Sequence, residues 1–406
     1  MKRADWHLRA NVFIVMYLIA ALVSGVANSF SEDKAISWLT VHLLLLGAIT
    51  NGIVTWSEHF VGALLWSRPV NRVRQLSVLI ILNAGIVGVL AGVSMEINWL
   101  VVLSAIVIAL IISFYLQGVN RFMKESLNKK FIGAIRYYQV AGVSILFGIY
   151  FGTNVVFISK DDPLEPRFVL AHLHTNLMGW VGITMIGTLV TLWPTILRTP
   201  MHPRALTAAS HGLKFLTAGL ILVVGAALID NRALYVLGDF LYLVGVLVAL
   251  IPSAQLVRKR IPDRASSWMI SMGIFGLFIL LILDAQIALT KETPEEILEV
   301  IEGHALALFT LWLLPIFLGA LMYLLPVVLG RGPKVNRELE RIINYGWHWR
   351  IFLLPASSFF ILIRRVPALS YLFAGIALGL FIISVFVTMQ SSKRSKRFAE
   401  TVPPML

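Results

Sequence analysis

Twelve runs of roughly twenty apolar residues follow one another along this chain, and few folds can accept them. A helix needs about 20 such residues to cross a hydrocarbon core ~30 Å thick. The runs cover 11–30, 36–58, 76–95, 98–117, 136–157, 168–194, 208–229, 233–256, 267–289, 303–328, 349–363 and 368–389. The eleventh is the weakest, being short and holding Pro355, Ser357 and Ser358. No stretch between runs has room for a soluble domain, so residues 1–406 are expected to form one all-α polytopic membrane domain, a twelve-helix bundle. Composition agrees with this. Charged residues make up 14% of the chain against about 25% in soluble domains, and hydrophobic ones 58%. The first run, from Asn11 to Val26, ends without a small-residue cleavage site and reads as a span rather than a signal peptide.

The net charge of +13 would suggest nucleic acid in a soluble protein. The loops give a plainer cause, because basic residues crowd the cytoplasmic side of membrane proteins. With the N-terminus inside, 26 lysines and arginines fall on its side, among them Lys2, Arg68, Arg72, Arg258, Arg331 and the tail Lys393 and Arg394. Seven fall opposite: Lys34, Lys160, Arg167, Arg232, Lys291, Arg364 and Arg365. Both termini are therefore expected in the cytoplasm, the chain in the inner (cytoplasmic) membrane, and no nucleic-acid partner. The outer loops are acidic, with Asp161, Asp162 and Glu165 in one and Glu292, Glu295, Glu296, Glu299 and Glu302 in another. They would offer a docking face to a basic soluble partner, an electron donor or a cupredoxin. Ile297, Leu298 and Ile301 recur at helical spacing, so that the second loop is expected to lie as an amphipathic turn on the membrane surface.

The chain has no cysteine, which removes disulfides, thiolate metal sites and iron–sulfur clusters. Metal ligation falls to nine histidines, few carboxylates and little else. His7, His202 and His348 lie in basic cytoplasmic segments and read as interfacial anchors; His59 and His211 lie at cytoplasmic helix ends. The other four differ. His42 stands six residues into run two, His172 and His174 four and six into run six, and His304 opens run ten. All three runs point inward from the outer surface, so the four imidazoles share a depth within about two helical turns. An ionisable group inside a membrane is costly and marks function by default. One such histidine is as often a satisfied side chain near a polar rim; four sharing depth, direction and a four-helix period are a site.

Runs six and ten also share a pattern. Gly187 and Pro194 follow His172 at the intervals by which Gly319 and Pro326 follow His304, and His42 with Gly47 echoes His174 with Gly179. This suggests a degenerate internal repeat that contributes one ligand helix per unit. Neutral imidazoles in an apolar, cysteine-free setting suit haem iron, copper or both, and carboxylates for a harder cation are scarce: only Asp239 and Asp284 lie in the outer halves of spans. Gly47, Ala48, Gly52, Gly179 and Gly182 would admit the plane of a macrocycle, and Trp180 could pack on it, although a core tryptophan is the commoner case. His172 and His174 are two residues apart, hence about 200° apart around a helix. One is expected to partner His42 and the other His304.

Twelve spans with both ends inside, and outer-side histidines on spans two, six and ten, resemble subunit I of the heme-copper oxidase superfamily. The resemblance implies a threefold pseudo-symmetric bundle, with His42 in the place of the span-two ligand of the low-spin haem and His304 in that of a span-ten ligand. The pair His172-Leu173-His174 is similar to the family's His-x-His, which there stands on span ten. No histidine pair occurs at the outer end of span seven and no histidine–tyrosine arrangement in span six, so the expectation does not extend to a complete dioxygen-reducing centre. The segments VHLLLLGAITNGIVTWSEHF, AHLHTNLMGWVGITMIGTLVTLWPTILRT and GALMYLLPVVLGRGP also look like bacterial membrane domains associated with cupredoxins, and size and layout are similar to the haem- and copper-containing NnrS proteins. The implied activity is redox or small-gas chemistry of the nitric oxide or dioxygen type. A metal or small-solute transporter using the same histidines, or an assembly subunit without cofactor, are the other readings.

Overall fold

The computed structural model describes residues 3–31, 34–65, 71–126, 129–330, 332–364 and 366–401. Lys2, Arg68, Arg331 and Arg365, which enter the charge asymmetry, lie outside the described residues. Every regular element among the described residues is helical. Among the described residues, eleven helices are long and apolar enough to cross a membrane. They are α1 (Ala4–Phe30), α2 (Ser37–Leu64), α3 (Arg72–Ser94), α4 (Asn98–Glu125), α5 (Lys129–Val155), α6 (Leu164–Ile196), α7 (Ala205–Ile229), α8 (Arg232–Arg258), α9 (Ala265–Thr290), α10 (Ala305–Leu329) and α12 (Pro367–Ser395). The eleventh expected span forms a shorter helix, α11 (Trp347–Leu362), whose 16 residues reach only about 24 Å.

Burial sorts the helices into two rings. Of the most apolar eighteen residues in each, 94% are buried in α6, 72% in α10 and 61% in α2, whereas no other exceeds 50%. The helices that carry His42, His172 and His174, with the one that follows His304, are thus the inner ring. The remaining helices face outward with apolar side chains such as Phe147, Ile221, Phe275 and Ile282, which suits a lipid surround. The chain falls into three four-helix units. In each, the second helix is an inner one and packs on the first, while the third and fourth form a tight hairpin: α3 with α4, α7 with α8, α11 with α12. The α7–α8 hairpin shows how. A Cβ on Gly219 would stand 2.6 Å from the Gly238 carbonyl oxygen, and one on Gly212 2.8 Å from that of Gly245, so only glycines seven residues apart on each helix let the backbones approach so closely. Asn28 of α1 bonds Tyr371 of α12 at 2.6 Å, so the first and last helices run antiparallel, the C-terminal end of one beside the N-terminal end of the other.

The inner helices are not uniform. Each contains a π-helical segment, Leu43–Ile49 in α2, Thr175–Ile183 in α6 and Leu308–Leu313 in α10. Such segments are rare and frequent at functional sites. The first begins directly after His42, the second directly after His174, and the third four residues after His304. They meet at the centre: Trp180 Nε1 donates to Thr50 Oγ1 at 3.1 Å, Thr50 Oγ1 donates to the Leu45 carbonyl at 2.9 Å, and Gly182 lies against Trp312. Hydrogen bonds between polar side chains also hold α2 to its other neighbour. Asn51 and Asn83 of α3 exchange two amide bonds of 3.0 and 2.8 Å while each amide also donates to its own helix.

Candidate functional site

His42 is the last residue before the π-segment of α2, and its ring lies 4.1 Å from that of Trp38 at 26°. Its Nδ1 is 2.8 Å from the Trp38 carbonyl, an acceptor only, so the proton sits on Nδ1 and the lone pair on Nε2. His172 on α6 is held in the same way from a different helix. Its Nδ1 donates to the Gly148 carbonyl of α5 at 2.8 Å, and the Asn176 amide donates to its own carbonyl at 2.7 Å. The imidazole rests on Gly152, where a Cβ would stand 2.5 Å from Cε1 and Nδ1. The two rings are 6.2 Å apart between centres and within 20° of parallel. Two imidazoles trans to each other across one ion at metal–nitrogen bonds of about 2.0–2.1 Å place their ring centres roughly 6.4 Å apart. The pair has a separation close to that value, and each ring has its tautomer set by a backbone carbonyl.

His174 faces elsewhere, as a two-residue offset in a regular helix requires. It is 2% exposed, its Nδ1 donates to the Leu170 carbonyl at 2.8 Å, and its Nε2 is 2.8 Å from the Tyr235 hydroxyl of α8 and 3.1 Å from Asp284 Oδ2 of α9. Asp239, one turn along α8 from Tyr235, is buried beside Asp284. His174 and Asp284 line a cavity of about 60 Å³ with His304, Leu277, Ile301 and Trp312. The structure thus brings His172 to His42 and sets His174 across a cavity from His304. Tyr235 was not singled out by sequence; its signal was a tyrosine and an aspartate four residues apart on one face of an apolar run.

Several expectations change. His304 does not stand within a span helix but at the junction between α10 and a separate helix, Pro294–Gly303, with backbone angles φ −103° and ψ 5°. That helix does not lie free on the membrane surface. Ile297, Leu298 and Ile301 are buried against the protein, next to α6 and α9, leaving Glu295, Glu296, Glu299 and Glu302 outward. His7 is not an exposed anchor; it is buried with its ring stacked on Trp56 and edge-on to Trp6 and His59. The glycines expected to open a slot for a macrocycle are filled by neighbours: Gly47 by Tyr17, Gly52 by Phe317, Gly179 by Ser144 and Gly182 by the Tyr242 hydroxyl. Trp180 is core and bonded to Thr50. A macrocycle on the histidine pair therefore does not use that interior space. Among the described residues no three histidine or carboxylate side chains stand close enough to hold an ion by themselves.

Comparison of the chain with protein-family models and with curated proteins finds no match.

Proposed function

We propose that this protein is a metal-dependent redox or small-gas protein of the inner membrane, with His42 and His172 as the two protein ligands of a haem iron or a copper ion. The observation that carries the reading is the near-parallel pair of imidazoles, 6.2 Å apart, with both Nδ1 groups committed to backbone carbonyls. Iron or copper held this way supplies one-electron chemistry and affinity for nitric oxide or dioxygen. The chain's own part is positional. Trp38 stacks on one imidazole, Gly148 and Gly152 seat the other, and both rings stay in one tautomer through a change of metal charge. Three units, each with its inner helix marked by histidine and π-helix, support the resemblance to the heme-copper oxidase superfamily. The acidic face of the Pro294–Gly303 helix would receive a basic electron donor.

The test is spectroscopic. The purified protein should show a metal-dependent absorption that changes on reduction, and His42→Ala should abolish it or lower the coordination number by one. A colourless, metal-free preparation overturns the proposal. The transporter reading draws on the interruptions in α2, α6 and α10, and it would require metal flux in sealed vesicles.

A further inference from the structure

The second polar cluster has a charge problem that the haem or copper reading leaves untouched. His174 Nδ1 donates to the Leu170 carbonyl, so Nε2 presents a lone pair. The Tyr235 hydroxyl has one proton and can give it to that lone pair at 2.8 Å. Asp284 Oδ2 lies 3.1 Å from the same Nε2, acceptor against acceptor for a neutral ring and an ion pair for a protonated one. Asp239 adds to the excess. It is 2% exposed, neither of its carboxylate oxygens has a hydrogen-bond donor, and the charged group acting on it is Asp284, another carboxylate. The buried Asp239 and the half-buried Asp284 thus stand beside one imidazole, and among the described residues no lysine or arginine is paired with either. Burial of that kind calls for something to offset the negative charge, either a shared proton or a metal cation.

We propose that His174, Tyr235 and Asp284 form the donor face of a second metal site, for a divalent first-row cation such as Zn²⁺, with Asp239 as charge-balancing neighbour. Nε2 lies 2.8 Å from the phenol oxygen and 3.1 Å from Asp284 Oδ2, and the phenol oxygen lies 3.4 Å from Asp284 Oδ1. Donors around one ion at bonds of about 2.0–2.2 Å lie roughly 2.9–3.5 Å apart, between octahedral and tetrahedral angles. The set is one nitrogen and several oxygens without sulfur. It suits Zn²⁺, Mn²⁺ or Fe²⁺ and disfavours Cu⁺. Tyrosine completes the face, which is why histidines and carboxylates alone do not form a cluster of three. His174 and Asp284 line the 60 Å³ cavity together with His304, so water or His304 would complete the ion's shell from that side.

The site stands independently of the His42–His172 centre, and the test separates them. Full-length protein in detergent is stripped with chelator, equilibrated with Zn²⁺ alone and its bound metal measured at graded free Zn²⁺. The double variant H42A/H172A is expected to retain one Zn²⁺ per chain. In that background Asp284→Asn should weaken binding by about 100-fold or more and Tyr235→Phe, which removes a single oxygen, by about 10-fold, in line with the effects of disturbing a metal site. Neutralising Glu295, Glu296 and Glu299 to glutamine should leave it unchanged. The proposal is overturned if the H42A/H172A protein binds no Zn²⁺, in which case a proton bridges the cluster. It is equally overturned if well-folded Tyr235→Phe and Asp284→Asn proteins bind as the parent does, or if the glutamine variant alone loses the metal.

Discussion

Gly152→Ala tests the proposed His42–His172 centre without replacing either proposed ligand. The added Cβ would stand 2.5 Å from Cε1 and Nδ1 of His172, where ordinary contact begins at 3.4 Å. The ring must therefore move by about 0.9 Å, several times the ~0.2 Å within which metal–ligand distances are held. The atoms displaced are the end of a side chain, so folding loses little: about 1 kcal/mol, the lower end of the cost of overpacking, partly offset by the helix preference for alanine over glycine. Metal ligation loses much, because the shift also breaks the 2.8 Å bond that orients Nδ1 on the Gly148 carbonyl. The expected result is a protein with nearly parental thermal stability whose bound metal has lost one nitrogen ligand, seen as a six- to five-coordinate change in the visible spectrum. Gly225→Ala, whose Cβ meets nothing within 4 Å, serves as the silent control. A parental spectrum in well-folded Gly152→Ala protein would refute the argument and remove His172 from the centre.

Alanine at His172 should alter the same signal as alanine at His42, while alanine at His174 should leave it intact; identical losses from all three, by absorption spectroscopy, would show a single centre. Asn51→Leu leaves the buried Asn83 amide without its partner and should lower stability by about 1–3 kcal/mol, whereas Asn51→Leu with Asn83→Leu should recover most of it, both read from thermal melts in detergent. Gly52→Ala drives a methyl group into Phe317 between α2 and α10 and should cost about 1–3 kcal/mol in the same assay, with restoration by Phe317→Leu. Reduction by a basic soluble donor should slow as ionic strength rises, and replacing Glu295, Glu296 and Glu299 by glutamine should flatten that dependence.

Much of this protein is readable without a structure because its determinants are local. A run of twenty apolar residues has few fates in a bilayer other than a helix. The four-helix period of His42, His172 and His304 marked the inner ring, and the 200° offset between His172 and His174 sent them to different neighbours, as the structure finds. The eleventh run, with Pro355, makes a helix of 16 residues, shorter than a hydrocarbon core is thick, a weakness visible in its composition. What tertiary structure decided is which side chains meet. Tyr235 and Asp284 reach His174 across 61 and 110 residues of sequence, and no periodicity carries that information. The π-segments came from the same level: an extra residue per turn is tolerated in α2, α6 and α10 because each is wrapped by other helices that satisfy and pack its widened backbone. Glycines had two readings in sequence, a slot for a ligand or a seat for a neighbour. Helix packing chose between them, seating Tyr17 on Gly47 and Phe317 on Gly52 but the His172 imidazole on Gly152, because the space beside a glycine belongs to whichever helix comes closest.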